Sequence, residues 1–275
     1  MSIVLAALSS LLWGSADFFG GLLTKRLSVY AVVGASQAFG LVAVTVFAVA
    51  IGGFAGEPAW IGWSIAAGVS GSLGLLCFYA ALASGTMGVV SPIAALGAVV
   101  PVLTGIGQGE QPSGLALTGI ALGLLGAVAA SGPELNSEVG VRPVALAAVA
   151  GLLFGSCFTF LAGGAESSSV MTLWGMRVTS VTAFVVAALV TRSMGGLRPA
   201  DAPGLLGVGL GDAGANLLFA LATQRGLLSI TAAVGSLYPV ATVLLAYVVL
   251  HERMHRIQIV GVIVALFGVV LISIG

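Results

Sequence analysis

Ser131-Gly132-Pro133-Glu134-Leu135-Asn136-Ser137-Glu138 is the longest polar connector in this chain of 275 residues. Five apolar stretches precede it, at 3–23, 30–52, 60–83, 86–106 and 113–131, and five follow, at 143–163, 169–191, 203–223, 226–250 and 256–274. In chain order these are spans 1 to 10. A hydrocarbon core about 30 Å thick takes about 20 apolar residues per helix, and each stretch is close to that length. Mean hydropathy is +1.18. Hydrophobic residues make up 59% and charged residues 7%. Such a chain cannot dress an aqueous surface, so lipid is its solvent. The expected fold is an all-α integral membrane protein of ten transmembrane helices. The spans leave no room for a soluble domain, which excludes most enzyme readings. A formal net charge of +0 gives no footing for nucleic acid or an acidic partner.

Smaller features agree. Cys77 and Cys157 lie inside apolar stretches and read as small buried hydrophobes. The first stretch begins at Ile3, lacks a basic leader and continues into Trp13-Gly14-Ser15-Ala16-Asp17, so a cleaved signal peptide is not expected. The 41 glycines let membrane helices approach closely.

The two sides of the connector repeat each other. Trp13-Gly14-Ser15 matches Phe154-Gly155-Ser156, and Gly88-Val89-Val90-Ser91-Pro92-Ile93-Ala94-Ala95 matches Gly226-Leu227-Leu228-Ser229-Ile230-Thr231-Ala232-Ala233. Pro101-Val102 then matches Pro239-Val240 in register. Gly119 and Gly126 match Gly261 and Gly268, each pair following an acid, Glu110 or Glu252. The expected units are therefore residues 1–131 and 143–275, joined by a linker at 132–142. Five helices per unit is an odd number, so the second copy sits inverted in the bilayer. Inverted repeats recur in secondary transporters, with the site near the midplane between the copies.

Positive charge sets the expected orientation. Lys25, Arg26, Arg142, Arg192, Arg198, Arg253 and Arg256 fall on or beside odd-numbered loops, whereas only Arg225 falls on an even one. This places the odd loops in the cytoplasm and both termini outside, in a cell membrane.

The chain resembles the drug/metabolite transporter superfamily, specifically its ten-helix EamA-type members. Leu12-Trp13-Gly14-Ser15, Tyr79-Ala80-Ala81-Leu82 and above all Tyr238-Pro239-Val240 with Glu252 carry the likeness, which covers the whole chain. One departure is visible. Pro239 to Glu252 is 13 residues but Pro101 to Glu110 only 9, so span 4 is about one turn shorter than span 9. The resemblance implies a transporter of small metabolites, often amino acids, frequently by export.

Ionisable groups inside a bilayer cost a few kcal/mol or more and are functional candidates by default. Asp17 in span 1, Arg177 in span 7 and Asp212 in span 8 are the three. In the repeat, Arg177 falls on Gln37, Asp17 on Phe158, and Asp212 near Gly71 and Ser72. Symmetry is thus broken where polarity appears, as a site for an asymmetric ligand requires. Two readings of Arg177 and Asp212 stay open: an ion pair that fixes packing, or direct handling of substrate and proton. Asp17 either snorkels toward Lys25 and Arg26 or serves, with Asp212, as a proton-coupling site, because a desolvated carboxyl can take up and release a proton during transport. Asn216, one turn beyond Asp212, joins Trp13, Gln37, Tyr79, Arg177 and Tyr238 as candidate substrate-binding residues. Trp60 and Trp63 read as an interfacial belt.

Pro92 and Pro101 in span 4 and Pro239 in span 9 remove backbone donors and are candidate hinges or kinks. Gly119-Ile120-Ala121-Leu122-Gly123, with Gly261 to Ala265 as its counterpart, marks spans 5 and 10 for tight packing on each other or on a second copy in a homodimer.

Three motifs mislead. His251-Glu252-Arg253-Met254-His255 spells a zinc-protease signature, but no other histidine and no later acid supplies a third ligand. Gly209-Leu210-Gly211-Asp212 has the form of half an intramembrane aspartyl protease, with Asp17 as partner, yet Ser15-Ala16-Asp17-Phe18 lacks the expected Tyr-Asp. Gly209, Gly211 and Gly214 also fit a dinucleotide fingerprint, but no strand precedes them. The expectation is therefore a secondary transporter of small polar metabolites working by alternating access. It needs no metal or cofactor, and its partners are a small-molecule substrate and the lipid bilayer. With no ATPase motif, a gradient drives it, a proton being the first choice. Both signs of charge in the cavity would suit a zwitterion. An intramembrane protease and a non-transporting assembly protein are the alternatives.

Overall fold

The computed structural model describes residues 1–84, 90, 93–130, 140–192, 196–250 and 255–275, and among them it is helical with no strand. The first five helices are α1 (Ser2–Thr24), α2 (Val29–Ala50), α3 (Ile61–Ser84), α4 (Ile93–Gly107) and α5 (Gly114–Ala130). Val141–Thr191 is one helical run of 51 residues interrupted at Ser168, whose extended backbone (φ −165°, ψ 111°) divides it into α6 (141–167) and α7 (169–191). The Ser168 hydroxyl accepts from the Met171 amide at 3.2 Å, so the residue at the break is also the N-cap of the next helix. The series closes with α8 (Ala202–Thr223), α9 (Leu228–Val249) and α10 (Arg256–Ile274).

Seven of these runs are long and apolar enough to cross a membrane, and Val141–Val190, at 50 residues, has the length of two crossings. The described parts of α4 and α5 are shorter. At about 1.5 Å per residue, the 17 residues of α5 reach about 26 Å, just under a 30 Å core. Residues 86–89, 91 and Pro92 of span 4, residue 131 with 132–139 of the linker, and His251 to Met254 lie outside the described residues.

The repeat is visible in the packing. A Cβ on Gly209 of α8 would strike the Ser36 carbonyl of α2, and one on Gly68 of α3 would strike the Met176 carbonyl of α7. These four positions exchange under the sequence repeat. The equivalent helices also meet, one turn out of register: Gly14 of α1 sits on Tyr238 and Ala241 of α9, while Gly155 of α6 sits on Gly97 and Val100 of α4. Each helix pairing thus appears twice, once per copy. The glycine seam lies on the axis itself. Gly119 faces Gly268 and Gly126 faces Gly261, joining α5 to α10 within one chain. A homodimer through these glycines would have to compete with that contact. Outward, α10 presents Ile263, Leu266, Phe267 and Val270, a lipid-facing row.

The ends of the bundle are distinct. Gly226 lies beside Ser2, and Gly275 beside Ser113, so both termini share an end with the loops after α4 and α8. At the other end Arg26 pairs with Asp201 at 3.4 Å, joining the α1–α2 and α7–α8 loops.

Candidate functional site

At mid-height the helices leave a cavity with about 60 Å³ open to water centres, room for about four waters. Both halves line it. Trp13 and Asp17 come from α1, Gln37 from α2, Ser72 and Leu75 from α3, and Phe154, Cys157 and Phe158 from α6. Met176 and Ser180 of α7, Asp212 and Asn216 of α8 and Tyr238 of α9 complete the wall.

One wall is backed by a polar knot around Arg177, two of whose buried donors, Nε and Nη2, have no partner among the described residues. Arg177 Nη1 donates to Asp212 Oδ2 at 2.7 Å and also to Gln37 Oε1. Gln37 Nε2 donates to Asp212 Oδ2 at 3.2 Å. Asn216 Nδ2 donates to the Asp212 carbonyl at 2.7 Å and to Oδ1 at 3.1 Å. Arg177 and Gln37, equivalent in the repeat, therefore meet each other on the axis. Arg177 is 0% exposed and does not line the cavity. Its Nε lies beside Gly40 of α2. Arg177 and Asp212 thus form an ion pair, one of the two readings left open by the sequence, with Asp212 in the lining and Arg177 behind it.

The part of the lining that α1 supplies is different. Asp17 is partly exposed and has no ion-pair or hydrogen-bond partner among the described residues. Beside it Trp13 stacks on Phe158, centroids 4.7 Å apart at 23°, with Phe219 5.0 Å from Phe158. The hydroxyls of Ser72 and Tyr238 are buried in the lining with no protein partner among the described residues.

The remaining candidates fall elsewhere. Tyr79 is buried outside the lining, with its hydroxyl against Gly20 where α1 meets α3. Pro101 follows a 3₁₀ turn at Leu96–Ala98, and Pro239 follows a break at Ser236 and Leu237. Each proline stands in the first turn of a restarted helix, where a missing N–H costs little. Trp60 packs edge-on against Trp174, centroids 6.1 Å apart. Sequence reasoning did not single out Phe154, Cys157, Met176 or Ser180 as lining residues. The repeat could have found Phe154, which falls on Trp13, but not the others, whose counterparts Ala16, Ser36 and Gly40 do not line the cavity.

Glu110 closes one end. Gly109, at φ +98°, turns the chain after α4. The Glu110 carboxylate then accepts from the Leu228 amide and, at 2.9 Å, from the Ser229 amide. It thereby caps the free donors at the start of α9. Val99–Gly107 packs on Leu228–Gly235 at this end, and α9 is buried from Pro239 to Thr242 but exposed from Tyr247 to Leu250. Glu110→Ala is expected to speed hydrogen exchange at the Leu228 and Ser229 amides about tenfold, the size of a lost cap. Mass-spectrometric exchange on the purified protein checks this.

Apolar helices folded as two exchanging halves around a mid-height cavity, mostly apolar with a few polar groups, define the class of repeat-built membrane transporters. The model described as the EamA-like transporter family matches residues 1–132 and 141–274. The chain belongs to that family and is a multi-pass membrane protein. One solved structure, titled only as the crystal structure of a protein, is similar over 99% of this chain and 96% of its own, with a TM-score of 0.82 at 16% identity. That likeness is one of fold. No curated protein matches.

Proposed function

We propose that this chain is a secondary transporter that exports small polar metabolites across the cell membrane by alternating access, coupled to protons. The observation that carries the reading is the mid-height cavity, lined by both halves and holding one unpartnered carboxylate, Asp17. Asp212 is held by Arg177 and Gln37, which leaves Asp17 as the group free to take and release a proton. Export against a gradient then has substrate leave outward while a proton enters. Arg177 acts as a positioning residue for Asp212 and Gln37. Trp13, Gln37, Asn216 and Tyr238 contact substrate.

In this reading ten spans form two inverted five-helix units, 1–131 and 143–275. The odd loops are cytoplasmic, with both termini outside. The end closed by Glu110 is then the outer one. The breaks before Pro101 and Pro239 are the hinges about which α4 and α9 part. The protease alternative is not favoured, because Asp212 is neutralised by Arg177 and so cannot share a proton with Asp17 as a catalytic dyad does.

The test uses purified protein in liposomes loaded with a pH-sensitive dye. Substrate-dependent proton movement is expected in the wild type. Asp17→Asn is expected to lose it, and Asp212→Asn to lose it only with loss of folded protein. Full pH-driven transport by Asp17→Asn overturns the coupling assignment.

A further inference from the structure

The charge balance of the cavity names the kind of substrate, given the transport reading above. Two carboxylates line it, Asp17 and Asp212, and no basic side chain among the described residues does. The nearest cation, Arg177, is fully buried with Nη1 committed to Asp212 and Gln37. Its Nε and Nη2 have no partner among the described residues but are buried behind the lining, so a carboxylate in the cavity meets no exposed positive group. It would instead face Asp17. This removes the ground for a zwitterion, which rested on Arg177 being available.

What the cavity offers is one unpaired anion beside an aromatic face. Trp13 and Phe158 stack on each other next to Asp17 and both border the cavity, and an aromatic ring attracts a cation held near it. Two buried hydroxyls, on Ser72 and Tyr238, have no protein partner among the described residues and border the same space. Buried polar groups left unpaired are costly, so these are the atoms a ligand's polar end would satisfy.

We infer that the transported substrate is a small organic monocation, an amine or quaternary ammonium with a flat apolar body. Its charged head sits at Asp17 and the Ser72 and Tyr238 hydroxyls, and its body lies on Trp13 and Phe158. Amino acids and carboxylates are selected against by the same carboxylate that holds the cation.

Four probes share one ring and differ in charge: phenethylamine, benzyltrimethylammonium, phenylalanine and 3-phenylpropionate. Their binding to the purified protein is measured by calorimetry, and their flux by counterflow in liposomes. Benzyltrimethylammonium cannot cross lipid as a neutral species and gives the clean flux reading. The two cations are expected to bind about tenfold or more tighter than the zwitterion and the anion. Asp17→Asn is expected to lose cation affinity by about tenfold or more, as a buried charge partner does, while Asp17→Glu keeps it within a few-fold. Equal or tighter binding of phenylalanine or phenylpropionate overturns the inference. So does unchanged cation affinity in Asp17→Asn, or no binding by any probe. Flux of an anion or zwitterion without cation binding would sink the substrate class and leave transport standing. Cation binding without flux would do the reverse.

Discussion

Arg177→Met is expected to lose more stability than any single change to a cavity-lining residue. Arg177 is fully buried and its guanidinium neutralises Asp212 at 2.7 Å. Removing one member of a buried pair strands the other charge, at a cost of about 3–5 kcal/mol. Gln37 and Asn216 would still donate to Asp212, but neither supplies charge. For a chain of this size the loss corresponds to a fall in Tm of about 6 °C or more. Arg177→Met combined with Asp212→Asn is expected to recover much of it, since the pair then leaves no orphan. Thermal unfolding in detergent reads both. An unchanged Tm in the single variant would show that the pair carries no packing role.

Gly97→Ala should be nearly as damaging, for a steric reason. A Cβ at Gly97 of α4 would land on the Gly151 carbonyl of α6, and the partner contact is Gly155 against the Gly97 carbonyl. Both obstacles are backbone, so no side chain can swing aside. The helices must separate, at a cost of about 1–3 kcal/mol. Gly21→Ala of α1 is the control. Nothing lies within 4 Å of a Cβ there, and removing a helical glycine should be neutral or stabilising by about 0.5–1 kcal/mol. Fluorescence-detected size exclusion of heated samples compares the two. Equal melting would mean that α4 and α6 are not in backbone contact.

Hydropathy made the helices legible because apolar length is itself the requirement for crossing lipid. Even the break at Ser168 was legible, as the polar Glu166-Ser167-Ser168 between two apolar runs. The shortness of α4 and α5 was less so, since apolar residues continue past a helix end without penalty. Polar residues inside the spans stood out for the same reason. Trp13, Asp17, Gln37, Asp212, Asn216 and Tyr238 share one cavity. Polarity marks a residue as buried or functional, however, and says nothing of where it points. Tyr79 is as unusual in its span as Tyr238, yet it packs against Gly20. Arg177 was the most conspicuous residue of all and stands behind the wall. The apolar lining could not be read at all, because Phe154 facing a cavity and Phe267 facing lipid look the same in a sequence built of such residues. Only their positions in the repeat separate them. Glu110 was legible as a shared acid. Its capping of α9 needs the fold, because its partners are 118 and 119 residues away.

In alternating access α4 and α9 part at the end that Glu110 now closes. Spin labels at Gln108 and Arg225, both exposed at that end, report it by pulsed electron–electron distance measurement in liposomes. A short-distance population matching the closed end and a second, longer one are expected, with substrate or a change of pH shifting the balance between them. One fixed distance under every condition, in liposomes that still move substrate, would contradict that parting.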